Sequence, residues 1–129
     1  MHVMLMTYGT RGDVQPFVAL GRGLIQKGHR VTVAAPERFA SFVTDHDLEF
    51  AALTNALIAL MDDPQFARAS DPKASALAKL RSLFTIGKKA RGLQDTLLDD
   101  IFRTIDQGKP DVIVFHPKTF GALPIGRHF

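Results

Sequence analysis

The eight residues Gly9-Thr10-Arg11-Gly12-Asp13-Val14-Gln15-Pro16 join an apolar run, Val3-Met4-Leu5-Met6, to an amphipathic stretch, and combine two glycines, a hydroxyl, a cation and a carboxylate. Glycines in a strand-to-helix loop let a ligand approach the backbone, a helix N-terminus favours an anion, and the carboxylate offers a base. In a sheet of parallel strands, ligands collect outside the carboxyl ends, so this loop is where the chemistry is expected. His116-Pro117-Lys118 follows a second apolar run, Asp111-Val112-Ile113-Val114-Phe115, at another such edge. His46 lies in Asp45-His46-Asp47, but no metal-ligand spacing surrounds it, and no metal site is expected. The loop lacks Gly-x-Gly-x-x-Gly spacing, and Glu37 after the second strand is a weak ribose contact, which argues against a dinucleotide-dependent oxidoreductase.

The elements that must position these groups follow from periodicity. Phe17, Leu20 and Leu24 recur at helical spacing, widened by Val18 and Ile25, and Gly28 supplies a stop. Gly21 and Gly23 lower helix propensity, a loss that fits close packing on a sheet. Arg30-Val31-Thr32-Val33-Ala34-Ala35 reads as a buried second strand, and Pro36 is placed to open a helix carrying Phe39, Phe42 and Val43 inward. Residues 48–53 form a third strand. The middle is least regular; its clearest helix carries Leu77, Leu80, Leu83 and Phe84 on one side and ends near Gly87. Leu93, Leu97, Ile101, Phe102 and Ile105 define a separate amphipathic helix closed by Gly108 and Pro110, and residues 111–115 a fourth strand. Pro124 predicts a kink or early stop. The alternation implies an α/β, Rossmann-like parallel sheet with helices on both faces.

Composition narrows the function classes. With 129 residues and 46% apolar content the chain suits one globular domain. It contains no cysteine, which removes disulfide frameworks and thiolate metal sites and fits a reducing compartment. The first apolar run is too short for a signal peptide, and no stretch approaches the roughly 20 apolar residues of a membrane span. A cytoplasmic location is the resulting expectation. The net charge of +3 is unevenly placed: Arg68, Lys73, Lys79, Arg81, Lys88, Lys89 and Arg91 face only Asp71 between positions 64 and 94. That segment reads either as a solvated helical face or, through 73–91, as a peripheral contact with an anionic membrane. Nucleic acid is disfavoured, since one tyrosine and no tryptophan give little stacking surface.

Taken with Phe17-Val18-Ala19-Leu20-Gly21, the loop resembles the N-terminal domain of two-domain glycosyltransferases of the sterol glucosyltransferase and antibiotic glycosyltransferase group. Supporting matches are Gly28-His29-Arg30-Val31-Thr32, Ala35-Pro36, and Asp111-Val112-Ile113 ending in His116-Pro117-Lys118 with Gly121-Ala122-Leu123 beyond. The resemblance covers nearly the whole chain. It implies the N-terminal, acceptor-binding half of a GT-B fold over residues 1–129, with a C-terminal donor-binding domain outside this sequence. It also implies inverting transfer of a hexose from a nucleotide-sugar co-substrate, with uridine diphosphate glucose the first choice, to a hydroxyl of a sterol or other apolar acceptor. No cofactor is implied. The position matching Asp13 is commonly histidine in related enzymes and aspartate in this subgroup, so Asp13 is assigned as general base. Thr10, Arg11 and Gly12 become donor-side neighbours, and His116 an acceptor-side candidate able to bond Asp13 or the acceptor. Many histidine-based members place an aspartate after the late strand to orient the imidazole; here His116 stands there, and no such dyad is evident. The acceptor pocket is expected above the strand ends, lined also by the loop after Leu53 and by 74–90.

Each assignment has a structural competitor. Asp13 is also a natural helix N-cap, and an apolar pocket that raises its pKa would be needed to make it a better base. Gly9 and Gly12 also serve if they only permit the turn. Arg11 suits a phosphate contact or solvent; an adhesion role for Arg11-Gly12-Asp13 is excluded by its place at a strand end. His29 suits a helix C-terminus. A non-catalytic ligand-binding module is the alternative to an enzyme.

Overall fold

The computed structural model describes residues 1–119, and Gly121-Ala122-Leu123 and Pro124 lie outside the described residues. Four parallel strands form one sheet in the order β3-β2-β1-β4. They are β1 (His2–Met6), β2 (Arg30–Pro36), β3 (Glu49–Leu53) and β4 (Val112–Phe115). The helices are α1 (Arg11–Gln26), α2 (Ala40–Thr44), α3 (Ala56–Ala59), α4 (Pro64–Ser70) and α5 (Ala76–Gly108). Register runs Val3 with Val31 and Val112, and Met6 with Ala34 and Phe115.

Alternation along β1 divides the core in two. Val3 and Leu5 face one side with Val14 and Val18 of α1 and Val43 of α2. Met4 and Met6 face the other with Ile58 of α3 and Leu97, Ile101 and Ile105 of α5. Full burial of each such side chain stabilises by about 1.5–3 kcal/mol, so both helical layers are held by the sheet itself. The expected α/β sheet covered on both faces is therefore observed.

Local details differ from the periodicity. Helix α1 starts at Arg11, so most of the loop is helical. It buries Val14, Val18 and Gly21, while Leu20 and Ile25 are exposed. The cause is Gly21: a Cβ there would lie 2.9 Å from Leu48 Cδ2 and 3.3 Å from Leu5 Cδ1, so the helix approaches the sheet along that line. Gly23 meets nothing within 4 Å, and close packing does not explain it. Pro36 ends β2 instead of opening a helix; a 3-10 turn, Glu37–Phe39, intervenes before α2.

The two helices expected around Gly87 and Leu93 are one helix of 33 residues. Gly87 and Gly92 each cost about 1 kcal/mol of propensity, but a glycine stops a helix only when it takes the left-handed cap conformation. That conformation falls on Lys109, at φ 41°, whose N–H donates to the Ile105 carbonyl. Sheet packing holds the C-terminal half of α5, and the Ser75 hydroxyl caps its start by accepting from the Ala78 N–H.

Candidate active site

Strand order reverses between β1 and β4, since the chain runs outward from β1 to β2 and β3 and returns to β4 on β1's other side. Such a switch point opens a crevice at the carboxyl ends. The loop after β1 lines one wall and the turn after β4 the other. The His116 N–H donates to the Met6 carbonyl at 2.8 Å, which ties the two strand ends together. Residues more than a hundred positions apart thus meet.

Asp13 is fixed before any ligand arrives. The buried Thr7 hydroxyl donates to its carbonyl oxygen at 2.9 Å, pinning the first turn of α1 to the end of β1. The N-cap is Thr10, and Asp13 is the third helical residue. Its Oδ2 reaches back to accept the Thr10 N–H at 2.7 Å and the Thr10 hydroxyl at 3.1 Å. This is the carboxylate half of a capping box, so the expectation of Asp13 as the N-cap itself is corrected by three positions. Gly9 makes the arrangement possible. Its φ is 142°, and a Cβ there would fall 2.1 Å from Asp13 Oδ2. Gly9 is needed for its conformation and for the carboxylate that occupies the vacant space.

The opposite wall supplies cations and donors. Lys118 Nζ lies 3.0 Å from both Oδ1 and Oδ2 of Asp13, and His116 Nε2 lies 3.7 Å from Oδ1. His116 Nδ1 accepts the Lys118 N–H at 3.2 Å, so the neutral ring carries its proton on Nε2, the nitrogen facing Asp13. Phe17 packs edge-on against the ring at 6.2 Å between centroids. His116 and Asp13 therefore face each other, with acid and imidazole exchanged relative to the arrangement the resemblance describes, at a separation too long for a hydrogen bond.

Burial pushes the Asp13 carboxyl up, but the hydrogen bond from Lys118, those from the Thr10 N–H and hydroxyl, and the Lys118 charge together hold it below the usual aspartate value. The surroundings are donor-rich, not the apolar pocket that would raise the pKa and help the base. The carboxylate is ionised at neutral pH, the form a base requires.

The remaining candidates separate. Thr10 lies within the cluster. Gly12 borders it: a Cβ would meet only Thr10 Oγ1, at 3.7 Å, and Pro16, four residues on, cannot donate to the Gly12 carbonyl. Arg11 stacks its guanidinium over the Phe42 ring at 4.6 Å, on the α2 side of the loop. His46 bonds the Phe42 carbonyl at 2.7 Å through Nδ1, a local structural role. His29 donates its N–H to the Leu24 carbonyl just past α1, as a C-terminal closure requires. No cluster of three metal-ligating side chains occurs among the described residues. A cavity of about 370 Å³ lies between β2, β3 and the C-terminal half of α5, lined by Thr32, Phe50, Arg103 and Gln107 among others, and shares no residue with the Asp13 cluster. Sequence reasoning missed Lys118. The signal was available, because the loops after the first and fourth strands face each other whenever the order is 3-2-1-4.

A parallel sheet with an acid-bearing strand-to-helix loop at its switch point defines a Rossmann-like α/β domain. The chain belongs to the glycosyltransferase family 28 N-terminal domain, whose model matches residues 3–112. It is 31% identical over 121 residues to a sterol 3-beta-glucosyltransferase of Saccharomyces cerevisiae, covering 94% of this chain and 9% of that protein. It is 52% identical over 52 residues to an O-mycaminosyltylonolide 6-deoxyallosyltransferase of Streptomyces fradiae, covering 40% of this chain and 12% of the relative. The chain thus spans only about a tenth of the length of these relatives. Among solved structures, a glycosyltransferase of Streptomyces sp. SF2575 superposes with a TM-score of 0.62 at 23% identity, over 94% of this chain and 34% of that one. The same enzyme, solved with thymidine diphosphate, gives 0.55 at 23% identity over 88% and 32% of the respective chains.

Proposed function

We propose that this chain is the acceptor-side half of an inverting glycosyltransferase, with Asp13 as general base. The observation that carries this reading is the division of labour within one carboxylate. Oδ2 accepts from the first turn of α1 as well as from Lys118, whereas Oδ1 has, among the described residues, Lys118 and His116 beside it. Oδ1 takes the proton of the acceptor hydroxyl as that oxygen bonds to the anomeric carbon of the sugar. The bond from that carbon to the nucleoside diphosphate breaks on the opposite face, inverting the configuration. A positioned base of this kind contributes about a hundred- to ten-thousandfold in rate.

The donor is a nucleotide-activated hexose, with uridine diphosphate glucose the first choice, and Thr10 and Gly12 line its side; Arg11, stacked over Phe42, would have to leave that ring to join them. The acceptor is a sterol or related apolar alcohol, in keeping with the yeast relative; a polyketide aglycone is the second choice, in keeping with the Streptomyces relative. Asp13→Asn in the longer enzyme tests the base. Turnover is expected to drop at least a hundredfold with folding intact, and unchanged turnover would remove Asp13 from the chemistry.

A lipid acceptor gives a role to the N-terminal half of α5. Leu77, Leu80 and Phe84 are 69%, 65% and 78% exposed. At helical spacing they share an arc of about 100° with Arg81, Lys88 and Arg91. Lys89, on another side, is paired with Asp63. An apolar stripe edged by cations suits the surface of an anionic bilayer, and we assign it to peripheral membrane contact. No described helix is long and apolar enough to cross a membrane.

A further inference from the structure

The reading of Asp13 as base leaves Lys118 unexplained. Its backbone is held firmly: the Thr119 N–H and hydroxyl both donate to the His116 carbonyl, at 2.8 and 2.7 Å, and the Lys118 N–H donates to His116 Nδ1. Its side chain is 55% exposed, and among the described residues its charged end is held by the ion pair with Asp13. With its lysine end in solvent, the pair is screened on that side and its cation can exchange partners. Yet its ammonium bridges both carboxylate oxygens, Oδ1 included, and so sits on the lone pair that a base must offer to the acceptor. The pair also contributes to holding Asp13 below the usual carboxylate range, which makes it a poorer proton acceptor.

The crevice therefore contains a base covered by its own counter-ion. An anion of higher charge entering the same crevice competes for that ammonium, and a diphosphate carries more charge than a single carboxylate. We propose that Lys118 is a displaceable counter-ion that pairs with Asp13 in the empty site and transfers to the diphosphate of the bound nucleotide sugar, uncovering Oδ1 for the acceptor's proton. The inference rests on the assignment of Asp13 as base. It makes the base weak until the donor is present, so that the donor must bind before acceptor deprotonation. No covalent bond changes in this step; one ion pair is exchanged for another.

The test is the titration of the Asp13 carboxyl carbon in this chain, followed by ¹³C nuclear magnetic resonance with folding monitored by circular dichroism. Lys118→Met is expected to move the Asp13 midpoint upward, and Lys118→Arg to leave it low. Inorganic pyrophosphate at millimolar excess is expected to raise the midpoint of the unsubstituted chain toward that of Lys118→Met, and to leave the methionine variant unmoved. An identical midpoint in the unsubstituted chain and Lys118→Met overturns the pairing. A midpoint that ignores pyrophosphate, or shifts equally in both proteins, overturns the exchange. Because the readout is a titration, it fails separately from the base assignment, which turnover of Asp13→Asn decides.

Discussion

Replacing Gly9 by alanine should damage the site by a route that can be measured without substrate. The new Cβ would lie 2.1 Å from Asp13 Oδ2, 2.7 Å from its Cγ and 3.1 Å from its Cβ, so no small adjustment of the carboxylate tip suffices. The side chain must leave its rotamer and give up the Thr10 N–H. Two costs follow. Holding alanine at φ 142° costs about 1–3 kcal/mol, and losing the capping contact costs about 0.5–2 kcal/mol. The expected loss is about 1.5–5 kcal/mol, read from urea unfolding of the chain by circular dichroism. The mechanism makes a sharper claim about coupling. Asp13→Ala alone removes the capping contact, but in the Gly9→Ala background that contact is already gone. The double variant should therefore be more stable than the sum of the single losses by about 1 kcal/mol. Additivity within about 0.3 kcal/mol would refute the claim that Gly9 exists to admit the carboxylate, leaving only a backbone effect.

Further outcomes follow from the same geometry. The folded pKa of Asp13 is depressed, so its contribution to stability is complete above the ordinary aspartate value and is lost as pH falls through the lowered folded value. The urea midpoints of the unsubstituted chain and Asp13→Asn should therefore differ at about pH 7 and converge in acid as the carboxylate is protonated in both states; a gap that widens in acid contradicts the sign. Gly12→Ala should leave stability unchanged or raise it by up to about 1 kcal/mol, since a Cβ there meets only Thr10 Oγ1. In the longer enzyme the same change should raise KM for the donor, and an unaltered KM removes Gly12 from the donor side. Leu80→Ser with Phe84→Ser should weaken binding to phosphatidylserine-containing vesicles about tenfold or more, measured by co-sedimentation. Binding that survives the substitutions, or that is equal on neutral vesicles, assigns the stripe elsewhere.

The parts of this fold that sequence makes legible are those where one physical demand dominates. Strands β1 and β2 are continuous apolar runs because both faces are covered; β4 is an equally apolar run although Val112 and Val114 are exposed, and the ends of all three are recognisable to within a residue or two. Helix α1 was harder to orient, because the residue that sets its approach to the sheet, Gly21, has no side chain to mark the buried line. The length of α5 was misread for the converse reason. Gly87 and Gly92 look like stops, but a helix boundary depends on cap conformation and tertiary packing, and neither glycine caps anything. At the site, Asp13 was readable from the loop and His116 from its strand end. Lys118 was not, because its partner lies across the β1–β4 crevice, and only strand order brings the two walls together.

Strand order also bears on why an aspartate serves at this position. In the enzymes this loop resembles, histidine commonly occupies it and an aspartate after the late strand orients the ring. A neutral imidazole has one acceptor nitrogen, so it cannot accept both a helix-terminal N–H and a substrate proton. A carboxylate has acceptor sites on two oxygens. Here one oxygen takes the Thr10 N–H while the other has Lys118 and His116 beside it, so capping would leave an oxygen for the proposed base chemistry. The opposite wall must then change with it. An acid after β4 would repel Asp13, whereas His116 presents Nε2 to it and Lys118 an ammonium. The two walls have exchanged polarity together, which keeps a complementary pair at the switch point while reversing which side holds the base. In the proposed mechanism a cation stands where the resemblance places an orienting acid, and its transfer to an incoming anion would uncover the base.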